Sequence, residues 1–127
     1  MKFVVALTFF LLTYLSPLQS IPYSELEVAV QTVNVNKIVS YGTDKILVSI
    51  NNKESIYSKS QASIVLKDFF SKKPVQNFKI TIKSQTKGNV SFAAGEYQCK
   101  TGKYRVSFQF KQVDDTYKID KIVISEL

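Results

Sequence analysis

Apolar and polar residues change period twice along this chain, and each change marks an element. Between Ser58 and Phe70, SKSQASIVLKDFF, the apolar residues Ala62, Val65, Leu66, Phe69 and Phe70 recur every three or four positions. That spacing lays them on one stripe of a helix. Ser58 and Gln61 have the spacing of a capping box. Pro74, after Lys72 and Lys73, discourages continuation. Upstream, Leu26, Ala29, Val30 and Val33 repeat at helical spacing behind Ser24 and Glu27, a second predicted capping box. Asn36 is placed to cap a short helix from Lys37 to Tyr41 that ends at Gly42. Lys45 to Ile50 and Glu54 to Tyr57 then form a hairpin across Asn51-Asn52.

Downstream of Pro74 the period becomes two. Phe78, Ile80 and Ile82 alternate with Lys79, Thr81 and Lys83, and Thr86-Lys87-Gly88-Asn89 turns the chain. Val90, Phe92 and Ala94 share a face, and Ala93-Ala94-Gly95 predicts a bend in that strand. Tyr104, Val106, Phe108 and Phe110 alternate strictly with Arg105, Ser107, Gln109 and Lys111. Asp114-Asp115 turns, and the apolar phase of the last strand slips at Asp120-Lys121, which predicts a bulge. The inward set is expected to be Phe78, Ile80, Ile82, Phe92, Tyr104, Val106, Phe108 and Phe110, facing the helical stripe. Helices on one face of a strongly curved antiparallel sheet make an α+β fold.

Residues 1–20 are a different kind of sequence. Lys2 precedes an apolar run from Phe3 to Leu15, followed by the small, polar Ser16-Pro17-Leu18-Gln19-Ser20. This pattern predicts a secretory signal peptide cleaved near Ser20, and hence export to the periplasm or beyond. The run is shorter than the roughly 20 residues a membrane anchor needs. Residues 21–127 are then one domain, with no later stretch apolar enough to span a bilayer.

Composition narrows the chemistry. The 127 residues contain no His, so Ser-His, Cys-His and His-metal sites are ruled out. Cys99 is the single cysteine and is expected to be an ordinary strand residue. The acids Asp114, Asp115 and Asp120 lack calcium-loop spacing, and Gly88, Gly95 and Gly102 stand apart. No cofactor motif is present. The net charge of +7 is spread over lysines with one arginine, Arg105, and so predicts no nucleic-acid partner.

Two surfaces remain as candidates. Tyr41, Tyr57, Phe70, Phe92, Tyr104, Phe108 and Tyr117 are placed to line a pocket between helix and sheet for a small apolar ligand. The outward residues Lys79, Thr81, Lys83, Arg105, Ser107, Gln109 and Lys111 are placed to form a polar face for a homodimer or another protein. A pocket enzyme of isomerase or hydratase type would need a buried acid, and the candidates are Glu54, Asp68 and Glu96.

Particular residues also carry a resemblance. Ile56-Tyr57-Ser58-Lys59-Ser60-Gln61-Ala62, Leu66-Lys67-Asp68-Phe69-Phe70, Phe78, Gly102-Lys103-Tyr104-Arg105-Val106 and Tyr117-Lys118-Ile119 resemble the domain of unknown function 4783 family of small exported bacterial proteins. The likeness runs from about Glu25 to Ile124. It implies the cone of the nuclear transport factor 2-like, or cystatin-like, superfamily. It implies no activity. Together with the missing His and metal clusters, it points to a non-catalytic binding or scaffolding module outside the cytoplasm.

Overall fold

The computed structural model describes residues 20–85 and 90–127. The predicted signal segment up to residue 19 and the turn at 86–89 lie outside the described residues. The chain runs α1 (Tyr23–Gln31), α2 (Val35–Ser40), β1 (Gly42–Ile50), β2 (Lys53–Ser58), α3 (Lys59–Lys72), β3 (Asn77–Gln85), β4 (Val90–Cys99), β5 (Gly102–Val113) and β6 (Thr116–Glu126). Six strands make one curved sheet in the order β2-β1-β6-β5-β4-β3. Neighbours are antiparallel except β1 and β6, which run parallel and join the hairpin to the four-strand meander.

Helix α3 forms as its sequence predicts. Ser58 Oγ accepts the backbone N–H of Gln61, and the Gln61 side chain accepts the N–H of Ser58, each at 3.3 Å. Ala62, Leu66, Phe69 and Phe70 are buried from its inner stripe, and Val65 is half-buried. Ser58→Ala removes one half of the box and is expected to lower stability by about 1 kcal/mol. A urea midpoint equal to wild type would mean that the cap contributes nothing to the fold.

The other helices start earlier than predicted. Helix α1 opens at Tyr23 after Pro22, without a side-chain cap. Ser24 therefore lies inside the helix, and Glu27 turns elsewhere: its Oε1 accepts the N–H of Ile80 at 3.0 Å. Helix α2 is capped by Asn34, whose side chain accepts the N–H of Lys37 at 3.3 Å, and not by Asn36. The shift carries Val35 into the core at 2 % exposure and leaves Val33 out of the helix, at a φ of 55°.

Two bulges set the phase within the β3–β6 meander. Asp120 is the extra residue of β6, between the pairs Gln109–Lys121 and Phe110–Ile119. The bend expected at Ala93-Ala94-Gly95 is matched by an extra residue on the neighbouring strand. Ile80 pairs with Gly95 and Ile82 with Ala94, so Thr81 is unpaired. Past that point β3 turns over: Ile82 faces out, 39 % exposed, and Lys83 faces in, its Nζ 4.8 Å from the centre of the Tyr23 ring. The inward placement of Ile82 and the outward placement of Lys83 are thereby reversed.

The β4 phase is also opposite to expectation. Ala93 pairs with Phe108, Gly95 with Val106 and Tyr97 with Tyr104, so Ser91, Ala93, Gly95, Tyr97 and Cys99 face the helices. Phe92, opposite Gln109, faces out. Apart from Tyr97, the inner face of β4 carries small residues, and at Gly95 a Cβ would press on the Lys79 carbonyl of the neighbouring strand.

Candidate functional site

The seven aromatics expected to line one pocket are divided among three places. Phe70, Tyr104 and Phe108 are buried in the core. Tyr41, Tyr57 and Tyr117 are half-buried at its perimeter. Phe92 lies across the sheet from them. The residue that organises the interior is Tyr97, which the sequence reading passed over. Its ring centre is 5.8 Å from Phe69, 5.7 Å from Phe70, 6.4 Å from Phe78 and 6.5 Å from Tyr104. Its hydroxyl donates to the carbonyl of Lys73, just past α3. Burial raises the Tyr97 phenol well above the ordinary tyrosine range, and Cys99 adds to the rise. Rings thus occupy the space between α3 and β4–β5.

The three described depressions open on the outside. One of about 300 Å³ runs along α1 and α2 past Glu25, Val28, Thr32 and Lys37. Another, of about 210 Å³, lies over Lys79, Thr81, Glu96 and Gln98. The third, of about 150 Å³, sits on the outer face of the sheet between Phe92, Ser107, Gln109, Lys121 and Val123. Gln109 there donates to the Asp120 carboxylate at 3.2 Å.

The outer face is a graded surface. Its middle rows carry Ile82, Ala94, Ser107, Val123 and Ser49, then Phe92, Gln109, Lys121, Leu47 and Ile56. Arg105, Lys79 and Lys111 stand exposed around them, as predicted, and Thr81 sits at the bulge. Lys103 and Glu96 form an ion pair at 3.2 Å on this face. Ile56 is 64 % exposed. Small hydroxyl residues between apolar ones, inside a charged rim, suit a wet contact with another protein.

The candidate acids are all at the surface. Glu54 is exposed on β2, Asp68 pairs with Lys72 at 3.1 Å on α3, and Glu96 pairs with Lys103. Among the described residues no group of three or more metal-ligating side chains comes together. Cys99 is buried at the end of β4, its Sγ 3.5 Å from Thr101 Oγ1 and 3.3 Å from the Gly102 carbonyl. The Thr101 hydroxyl, held in turn by Lys73 at 3.2 Å, lowers the thiol's pKa. Among the described residues no helix is long and apolar enough to cross a membrane.

A family model described as "Domain of unknown function (DUF4783)" matches residues 23–125. The chain is similar to a solved DUF4783 family protein from Bacteroides ovatus, with 24 % identity over 86 % of this chain and 97 % of that one, at a TM-score of 0.79. It shares its fold with a cystatin-like domain of unknown function from Nostoc punctiforme, at 3 % identity, a TM-score of 0.63 and coverage of 83 % and 73 %. An NTF2-like protein of unknown function from Pseudomonas putida matches at 12 % identity, a TM-score of 0.60 and coverage of 78 % and 77 %. No protein of curated function matches the chain.

Proposed function

Because the chain belongs to the DUF4783 family, whose cone-shaped fold comes with no assigned activity, we propose a role from its surfaces: a non-catalytic binding module, exported, that docks a protein on the outer face of its sheet. The observation that carries this reading is the contrast between the two faces. The inner face is filled by Tyr97 and the rings around it. The outer face holds Ile82, Phe92, Leu47 and Ile56 in reach of solvent, with Ala94, Ser107 and Ser49 between them. A small apolar ligand inside the cone would have to displace packed rings, at a cost of several kcal/mol. An isomerase or hydratase site would need one of its acids taken out of water, and Glu54, Asp68 and Glu96 are all exposed. A homodimer through this face is the case in which the docked protein is a second copy.

The test is a photo-reactive residue in place of Ser107, in the producing cell, with the same residue at Lys67 on α3 as control. A discrete protein adduct is expected from position 107 and none from position 67. No adduct from 107, or adducts of equal yield from both, would remove the outer face as the working surface. Native mass spectrometry showing a tightly held small molecule would transfer the function to the interior.

A further inference from the structure

The two edges of the sheet are finished differently. Strand β3 ends one side, and α1 covers it: Glu27 accepts the Ile80 N–H at 3.0 Å, and Gln31 Nε2 donates to the Phe78 carbonyl at 2.8 Å. Edge strands whose backbone groups are taken in this way do not recruit further strands. Strand β2 ends the other side, with Lys53 to Ile56 exposed and neither proline nor bulge in it.

The hairpin geometry identifies which backbone groups of β2 are free. Asn51 and Asn52 both have positive φ, 49° and 71°, which makes a two-residue type I′ turn closed by the pair Ile50–Lys53. Alternation then turns Lys53, Ser55 and Tyr57 toward β1, and Glu54, Ile56 and Ser58 away from it. Ser58 is consistent with this, since its N–H goes to the Gln61 cap. Glu54 and Ile56 therefore present two N–H and two C=O groups at the open edge, and nothing among the described residues bonds to them.

We propose that β2 is a self-pairing edge whose partner is β2 of a second copy, antiparallel, about a two-fold axis at Ser55. Those four groups are self-complementary about that axis. Glu54 exchanges both of its backbone bonds with Ile56 of the partner subunit, and Ile56 with the partner's Glu54, which makes four hydrogen bonds. Ser55 faces the partner's Ser55 in the close, non-hydrogen-bonded type of pair, where a small side chain fits. Tyr57 falls opposite the partner's Lys53, ring against lysine stem. The exposed Ile56 covers the stem of the partner's Glu54. Because α1 closes the β3 edge of each copy, assembly stops at the dimer and does not run on as a fibre. The result is a twelve-stranded sheet with two outer faces side by side. The proposal is independent of what docks on those faces.

Light scattering after size exclusion, over a range of concentrations, tests it with three variants. Wild-type protein is expected to show a doubled mass. Ile56→Pro deletes an outward N–H and should give the single-chain mass with an unchanged circular dichroism spectrum. Ser55→Cys should form an interchain disulfide under mild oxidation, because the facing Cα atoms, about 4.5 Å apart in such a pair, are within bridging range. Wild type, whose Cys99 is buried, should not. Ser107→Arg, on the outer face, should leave the dimer intact. A single-chain mass for wild type together with no Ser55→Cys bridge would overturn the proposal and leave the outer-face reading standing. A dimer lost in Ser107→Arg and kept in Ile56→Pro would overturn it too, and would make the outer face the self-interface.

Discussion

Tyr97→Ala is expected to lower stability by about 4 kcal/mol. The side chain is fully buried, and its removal leaves Phe69, Phe70, Phe78 and Tyr104 around a void that the backbones of α3 and β4 cannot close. Tyr97→Phe separates packing from hydrogen bonding. It keeps the ring and orphans the Lys73 carbonyl, for an expected loss of about 1 kcal/mol. The two variants also differ from wild type in alkali. A phenol whose pKa is raised by folding supports the fold fully below its unfolded value of about 10, and loses that support as pH climbs toward the raised value. Tyr97→Phe should therefore lose less stability than wild type between neutral pH and alkali. Chemical denaturation at two pH values reads both effects. A Tyr97→Ala protein as stable as Tyr97→Phe would show that the ring cluster is not what holds α3 to the sheet.

The missed centrality of Tyr97 shows where local pattern stops being informative. Helix α3 was legible because three signals agreed: cap, stripe and stop. Strand β5 was legible because a strand packed on one face alternates without exception, and the Asp120 bulge because its slip shows in the order of the isoleucines. Strand β4 offered two alternations, Val90-Phe92-Ala94 and Ser91-Ala93-Gly95-Tyr97. Hydrophobicity favours the first, whereas the burial follows the second. Local hydrophobicity does not encode how closely a neighbouring strand approaches, and that distance decided the phase. The same holds for Glu27, whose spacing from Ser24 satisfies a capping box while its carboxylate bonds to Ile80, 53 residues away. Of the candidate pocket residues, Phe92 is the one that the β4 phase turns to the outer face. Of the residues expected to point outward, those on β5 do so and Lys83 does not, since it lies beyond a bulge whose extra residue is on its own strand. The parallel β1–β6 pairing, which leaves β2 as an open edge, has no local signature either.

Gly95→Val is expected to cost about 3 kcal/mol or more, by overpacking. The argument rests on space rather than on backbone freedom. A Cβ at Gly95 would press on the Lys79 carbonyl and stand 2.8 Å from Cε1 of Phe78, whose ring is fully buried. The carbonyl belongs to backbone, so the side chain cannot be accommodated by a rotamer change, and β3 itself must move outward. That strand is already bent by Thr81 and tied to α1 through Glu27 and Gln31. Displacing it should therefore weaken the cover on the β3 edge as well as the core. Hydrogen exchange reads this directly: the Ile80 amide, held by Glu27, should exchange faster in Gly95→Ala, the milder variant, than in wild type. Amides of β1 and β6, on the far side of the sheet, should slow or quicken only with global stability. If Gly95→Val unfolds at the wild-type urea midpoint, or if Gly95→Ala leaves Ile80 as protected as before, the close approach of β3 and β4 is not what placed a glycine there. An exposed β3 edge has one further consequence: the capped side of the sheet would pair as β2 does, and Gly95→Ala should form chains longer than two.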